Sequence, residues 1–284
     1  MTLTGFTDLD RLTGGLLEGS LTILSSPSGV GKTSFALSLI ANVLRREPEP
    51  IYGADIGMRE VRPAVAMYSL QSSKAQVLHR LTAMVGDIPI RDLHEGGVRA
   101  EDWPRLVRAV SETARAPLYI NDSAGITVRE MRESLAELNR GLSATNVDGA
   151  KVELGLVVVD HLHLMLRRSG TTSERERQAT HILRELKVLA RDINVPLLLL
   201  AQLPREERRH DRRPLISDFD PSEPVDEFAD TVMFLHRDEF YSLDSDDKGI
   251  VELIVAKQRS GPTGKVQMAF LDLYGGRFVS LASE

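Results

Sequence analysis

Lys32 and Thr33 are the residues whose type and spacing most clearly suggest chemistry, and the chemistry is that of a phosphate chain. They close a run of small residues, Ser25-Ser26-Pro27-Ser28-Gly29-Val30-Gly31, and Ser34 follows them. Without bulky side chains, backbone N–H groups can close round phosphate oxygens at the positive end of a helix. In such a cradle the Lys32 ammonium reaches the β- and γ-phosphates of ATP and the Thr33 hydroxyl ligates Mg²⁺. Ser28, Gly29, Val30, Gly31, Lys32, Thr33 and Ser34 are therefore the candidate nucleotide-binding residues. The pattern G-x-x-x-x-G-K-[ST] has Ser26 in place of its first glycine. A glycine turn with an exposed lysine is the alternative, and the flanking sequence argues against it. A second candidate is Asp160, which ends the apolar run Leu156-Val157-Val158-Val159. A carboxylate leaving a buried strand can hold the water shell of the Mg²⁺ carried by Thr33. Apolar strands ending in Asp are common, so the weight lies in the combination with Lys32 and Thr33.

These groups need a scaffold, and hydrophobic periodicity supplies one. Leu21–Leu24 is β-prone and runs into the small-residue loop, and Phe35, Leu37, Ile40, Val43 and Leu44 then recur at helical spacing. The expected order is a first helix over Lys32–Arg46, a proline- and glycine-rich surface insertion over Glu47–Pro63, and a buried strand over Ala64–Leu70. Helices are expected over Lys74–Val85, Glu101–Ala114, Val128–Leu142 and Ser173–Ile193, with strands at Pro117–Asp122, Leu154–Asp160 and Val195–Leu203. An irregular polar stretch from Pro204 to about Glu227 precedes strands at Thr231–Arg237, Gly249–Arg259, Val266–Asp272 and the chain end. This order implies an α/β fold with a mainly parallel sheet, helices on both faces and an antiparallel extension, in one domain spanning residues 1–284.

Composition narrows the classes. The 284 residues are 42% hydrophobic and 27% charged, as in an ordinary globular protein. No apolar run is long enough to span a membrane, so no membrane partner is expected. The opening MTLTGFTDLD lacks the basic and apolar regions of a secretory signal. The absence of cysteine excludes disulfides and thiolate catalysis and fits a cytoplasmic address. With a net charge of −6, contact with nucleic acid has to come from local basic loops rather than a global field.

Eight segments carry a likeness that the phosphate loop alone does not. They are TGFTDLDRLTGGL, GKTSFAL, YSL, PLYIND, VVVDHLHLM, NVPLLLLAQL, FLHRDEFY and DSDDKGIVELIVAKQRSGPTGKVQMAFL. In this order, over nearly the whole chain, they resemble the motor domain of DnaB-type replicative helicases. The resemblance implies a RecA-like P-loop NTPase fold, assembly of copies into a ring or spiral, and movement on single-stranded DNA driven by ATP. It also implies that Lys32, Thr33 and Asp160 bind nucleotide and Mg²⁺, that Arg80 packs near the base, and that Gln202 senses the γ-phosphate. Lys257 and Arg259 match a pair that reaches a neighbour's γ-phosphate, where alternating cations can stabilise transition-state charge. The same KQRSGPTG run argues against a RecA-like clock or repair ATPase.

The chain departs from that family in three places. The family has a glutamate after its second strand where this chain has Gln71; an amide can orient water but cannot accept its proton. The family's second DNA loop carries an R-E-S-G-like grip on phosphate, whereas Ser217–Asp230 here holds six acids and no base. Basic candidates for DNA contact remain in two loops expected to face a central channel: Arg167, Arg168, Arg175 and Arg177 in one, and Arg205, Arg208, Arg209, Arg212 and Arg213 in the other. Merely solvated loops are the competing reading, and no interleaved aromatics support base stacking. Third, the motor motifs start at the first residues of this sequence, so no collar or linker helix is expected within it. His161 and His163 stand where the family tends to have aromatic and amide residues, and they read as pocket-lining. Two functions follow: an ATP-driven translocase on single-stranded DNA in replication, or a hydrolysis-impaired relative that binds ATP and regulates or scaffolds another replication protein.

Overall fold

The computed structural model describes residues 1–47, 49–53, 57–142, 145–147, 149–166, 171–203, 212–242 and 244–281. A short helix, α1 (Thr7–Thr13), leads into β1 (Leu21–Ser26), whose six residues are all buried. Next come α2 (Lys32–Leu44), β2 (Glu49–Gly53) and β3 (Gly57–Ser69). Three helices follow, α3 (Lys74–Gly86), α4 (Ile90–Glu95) and α5 (Trp103–Arg115), then β4 (Leu118–Asn121) and α6 (Val128–Leu142). The chain continues through β5 (Asn146–Val147), β6 (Ala150–Asp160), α7 (Thr172–Ile193), β7 (Leu197–Gln202) and the single turn α8 (Val225–Phe228). The last strands are β8 (Thr231–His236), β9 (Ile250–Gln258), β10 (Gly264–Leu271) and β11 (Arg277–Ser280).

Among the described residues all eleven strands join one sheet in the order β11-β10-β9-β8-β1-β7-β6-β3-β2, with β4 on β3 and β5 on β6. The run from β3 to β8 is parallel, and β9, β10 and β11 continue it in antiparallel fashion. This is the parallel core with an antiparallel extension that the element order implies. Strand side chains alternate between faces, and the alternation decides which helix packs where. Leu198, Leu200, Leu156 and Val158 face α2 and α3, around Phe35, Leu37 and Ile40. Leu197, Leu199, Val157 and Val159 face α6 and α7, around Met131, Leu135, Leu183 and Leu186. Aromatic contacts close the first layer: Phe35 stacks on Phe6 at 5.2 Å and meets the edge of Phe278 at 5.5 Å.

The Glu47–Pro63 stretch differs from its expectation. β2 pairs antiparallel with the first residues of β3, so the second buried strand begins seven residues earlier than the apolar run indicates. Proline hides such a strand from pattern reading. Pro63 is accommodated beside a register shift between Ala64 and Val65 and against Gly155, where a Cβ would come within 2.8 Å of the Pro63 ring. The short helix α4 carries no periodic signal in the sequence.

Candidate functional site

In an open parallel sheet the carboxyl ends of the strands are where ligands are held. Here β1 ends at Ser26, β3 at Ser69, β6 at Asp160 and β7 at Gln202, and the register sets Ser26 beside Gln202 and Ser69 beside Asp160. The loop from Ser26 to Lys32 is shaped by two glycines in the left-handed region, Gly29 (φ 88°) and Gly31 (φ 123°). A Cβ at Gly29 would lie 3.2 Å from the Phe240 ring and one at Gly31 3.2 Å from Phe278, so both positions also need glycine for space. Ser26 keeps an ordinary strand conformation, so its backbone does not require the glycine that the pattern places there.

Lys32, at the first turn of α2, donates from Nζ to the carbonyl oxygens of Ser26 at 2.7 Å and Pro27 at 3.1 Å. Burial brings its ammonium down to about 8, with Asp160 opposing the fall. The Thr33 hydroxyl donates to Asp160 Oδ2 at 2.8 Å. Asp160 is 1% exposed; burial raises its carboxyl, while the Thr33 bond, Lys32 and Arg80 pull it back. A hydroxyl and a buried carboxylate converging beside an ammonium, at the mouth of a small-residue loop, form a donor set suited to Mg²⁺ and a polyphosphate. Arg80 donates to Ser34 Oγ at 2.6 Å and to the Gly275 carbonyl at 3.3 Å, which brings it to the rim of the loop.

A cleft of about 670 Å³ opens beside this cradle, lined by Gln71, His161, His163, Arg175, Gln202 and Glu223 among others. Gln71 is exposed within it, two residues past the end of β3. Burial, with His163 and Lys32 nearby, lowers His161 to about 4, so it is neutral near pH 7. Arg175 and Arg177 lie in the first turns of α7, whose start is set by a capping box: Thr171 accepts from the Glu174 N–H, and Glu174 accepts from the Thr171 N–H at 2.6 Å.

Lys257 and Arg259 are not brought to this end. The register Thr22↔Thr231↔Gln258 puts them level with the start of β1, roughly 13 Å of strand away from Ser26 at ~3.3 Å per residue. Lys257 donates to the carbonyls of Asp226 and Ala229, and Arg259 to that of Glu227 at 3.0 Å. Arg212 pairs with Asp218 at 2.7 Å and Arg213 with Glu252, so carboxylates already engage both. Arg167, Arg168, Arg205, Arg208 and Arg209 lie outside the described residues. The acidic stretch turns out to be largely structural. Asp218 accepts the Leu215 N–H, Asp220 the Ser222 N–H, and Asp230 the Leu21 N–H at 2.7 Å.

Two features escape sequence reasoning. The Arg237 guanidinium lies 3.9 Å above the Phe270 ring and pairs with Glu239, which sets Phe240 against Gly29. The turn at Gly275 and Gly276 closes on Ser34 and Arg80, where a Cβ at Gly276 would sit 2.7 Å from Ser34 Oγ. Both depend on contacts between residues far apart in sequence. The run FLHRDEFY is the available signal for the first; the second has none.

A model of the DnaB-like helicase C-terminal domain matches residues 2–279. The replicative DNA helicase DnaB of Geobacillus stearothermophilus is 37% identical over 279 residues, covering 98% of this chain and 56% of that protein. The replicative DNA helicase DnaC of Bacillus subtilis is 35% identical over 279 residues, again 98% of this chain and 56% of that protein. The chain therefore spans about half the length of the curated relatives it matches. A solved DnaB-like replicative helicase, described with its interactions with primase, superposes with a TM-score of 0.84 at 32% identity, covering 99% of this chain and 62% of that one. A second solved chain, itself described as an ATPase domain, gives a TM-score of 0.83 at 31% identity, covering 99% of this chain and 91% of that one. The RecA-like α/β fold implied by the sequence resemblance is thus the fold observed.

Proposed function

This chain belongs to the family of DnaB-like helicase C-terminal domains, and on that premise we propose that it binds Mg²⁺–ATP at Lys32, Thr33 and Asp160 and acts as a nucleotide-driven motor on single-stranded DNA. The observation that carries the reading is the Thr33–Asp160 hydrogen bond beside the buried Lys32 ammonium. Thr33 and Asp160 would hold Mg²⁺, which when bound neutralises charge on the β- and γ-phosphates. Ser28–Gly31 offer backbone N–H groups to the phosphates, Arg80 borders the base side, and Gln202 faces the γ-phosphate. Hydrolysis forms a bond from water oxygen to the γ-phosphorus, breaks the bond to the bridging oxygen, and leaves the electron pair on ADP. The water proton needs an acceptor; the Gln71 amide orients the water but cannot take the proton, so turnover is slow.

Lys257 and Arg259 serve a neighbouring copy's nucleotide, because their own lies at the far end of the sheet. Self-association in a ring or spiral follows, as does a reason for retaining both cations that an ATP-binding scaffold would lack. Arg175 and Arg177 are the described arginines best placed for single-stranded DNA, since Arg212 and Arg213 are already paired. Another replication protein is a further candidate partner. The second reading, a hydrolysis-impaired regulator, is favoured by one observation, the amide at Gln71. Equilibrium titration with a fluorescent ATP analogue tests the site: Lys32→Ala should weaken binding at least about tenfold, or ~1.4 kcal/mol. Steady-state ATPase with and without single-stranded DNA separates the two readings. Stimulation by DNA supports the motor; binding without any turnover supports the regulator.

A further inference from the structure

Beside the nucleotide cradle, a buried carboxylate is left half satisfied. Glu223 is 7% exposed; its Oε1 lies 3.0 Å from His163 Nε2, and its Oε2 has no hydrogen-bond partner among the described residues. A buried polar atom without a partner costs about 1–3 kcal/mol, more when charged, so Glu223 stays in place only while its surroundings hold it. His163 does the holding. Its Nδ1 accepts the Gln202 backbone N–H at 3.4 Å, which leaves the ring proton on Nε2, the atom 3.0 Å from Glu223 Oε1. One imidazole therefore joins the carboxyl end of β7 to the segment 212–224. Both contacts fit one tautomer and one ring orientation. The other tautomer would set Nδ1–H against the Gln202 N–H and the bare Nε2 against the carboxylate, and a turned-over ring would set carbons against both.

The Gln202 contact sits at the long limit of a hydrogen bond. A displacement of a few tenths of an ångström would bring it to the usual ~2.9–3.0 Å or break it. Within the segment, charged groups are paired locally: Arg212 with Asp218, and Asp220 with the N–H and hydroxyl of Ser222. At its near end Arg213 is fixed to Glu252 on β9. The His163–Glu223 contact leads from this segment toward the cleft beside the cradle.

We propose that His163 is a positioning residue that couples Gln202 to the segment 212–224 through Glu223, so that the segment responds to the γ-phosphate end of the nucleotide site. The inference rests on the nucleotide reading above. Filling that end shifts Gln202, the shift tightens or releases the Nδ1 contact, and Glu223, in contact with the same ring through Nε2, moves with it.

Hydrogen exchange of the amides in 212–224 tests this, measured with Mg²⁺–ATPγS, with Mg²⁺–ADP and without nucleotide, each raised to saturation for each protein. In the wild type ATPγS should change the exchange rate about threefold or more, and ADP should not. His163→Leu should abolish the response. His163→Gln should restore it, because an amide also offers one acceptor and one donor; loss of packing alone would not be rescued in this way. Glu223→Leu, made in case His163→Leu does not fold, should abolish the response as well. A full response in either leucine variant, an equal response to ADP, or a silent segment in nucleotide-bound wild type overturns the coupling. Failure of wild type to bind ATPγS in a parallel fluorescence titration would instead bring down the nucleotide reading beneath it.

Discussion

Burial has brought the Lys32 ammonium down to about 8, and Asp160 only partly offsets the fall. A polyphosphate drawn against that ammonium favours its charged form and raises it again, so binding above about pH 8 takes up a proton. Affinity for the ATP analogue should therefore be flat near pH 7 and fall as the pH climbs past about 8, approaching tenfold per unit. The triphosphate loses its own last proton below this window and does not mask the effect. Constant affinity up to about pH 9.5 would show that Lys32 does not contact phosphate. Gln71 offers a second residue-level test. The wild type should turn over far below the ~1–100 s⁻¹ of competent phosphoryl-transfer enzymes. Gln71→Glu, which supplies a carboxylate in the same cleft, should be faster, since general-base assistance contributes roughly 10²–10⁴-fold. A fast wild type that Gln71→Glu leaves unchanged would mean that another group accepts the proton.

Among elements, Asp230 does more than its place in an acidic stretch indicates. It accepts the Leu21 N–H at the start of β1, pairs with Lys187 of α7, and lies 3.7 Å from Arg259 just past β9. Strand, helix and extension are thus pinned at the end of the sheet opposite the loop Ser26–Lys32. Asp230→Ala leaves the Leu21 N–H and the partly buried Lys187 ammonium without this acceptor and should cost about 2–3 kcal/mol. Asp230→Asn, which keeps an acceptor, should cost less. The urea midpoint at unchanged slope measures both. Equal stability of Asp230→Ala and wild type would mean that water replaces these bonds without loss.

For the whole molecule, the antiparallel return of β9 matters most, because it carries Lys257 and Arg259 away from the phosphate loop. A nucleotide site containing them needs two copies. Sedimentation at tens of micromolar should show self-association that ATP strengthens. A strict monomer with and without nucleotide would count decisively against it. Complementation is sharper still. Lys32→Ala and Arg259→Ala should each be inactive, and a one-to-one mixture should recover turnover because about a quarter of randomly formed interfaces then join an intact loop to an intact Arg259. The same experiment on the Gln71→Glu background raises the signal, and no recovery there would confine the arginine to a structural role.

The sequence by itself determined the parallel core, the phosphate loop and Asp160, because each is encoded locally. Apolar runs of strand length bounded by small residues mark β1, β6 and β7, and a Gly-x-Gly-Lys-Thr run between a strand and an amphipathic helix has few other uses. The helix Val128–Leu142 was legible to the residue from its periodicity. The β2–β3 hairpin was not, since Pro63 and several glycines mask the alternation that backbone pairing sustains. Tertiary structure alone decided which charges are free. Arg212 and Arg213 read as a basic patch but are consumed by Asp218 and Glu252, and four of the six acids of Ser217–Asp230 bind backbone N–H groups or His163 rather than facing solvent. It also decided that Lys257 and Arg259 lie far from the loop Ser26–Lys32 of their own chain, and that His163 spans Gln202 and Glu223. Each is a pairing between residues that the local pattern does not link, and residue type specifies only what a group can bond; where its partner stands is set by the packed sheet.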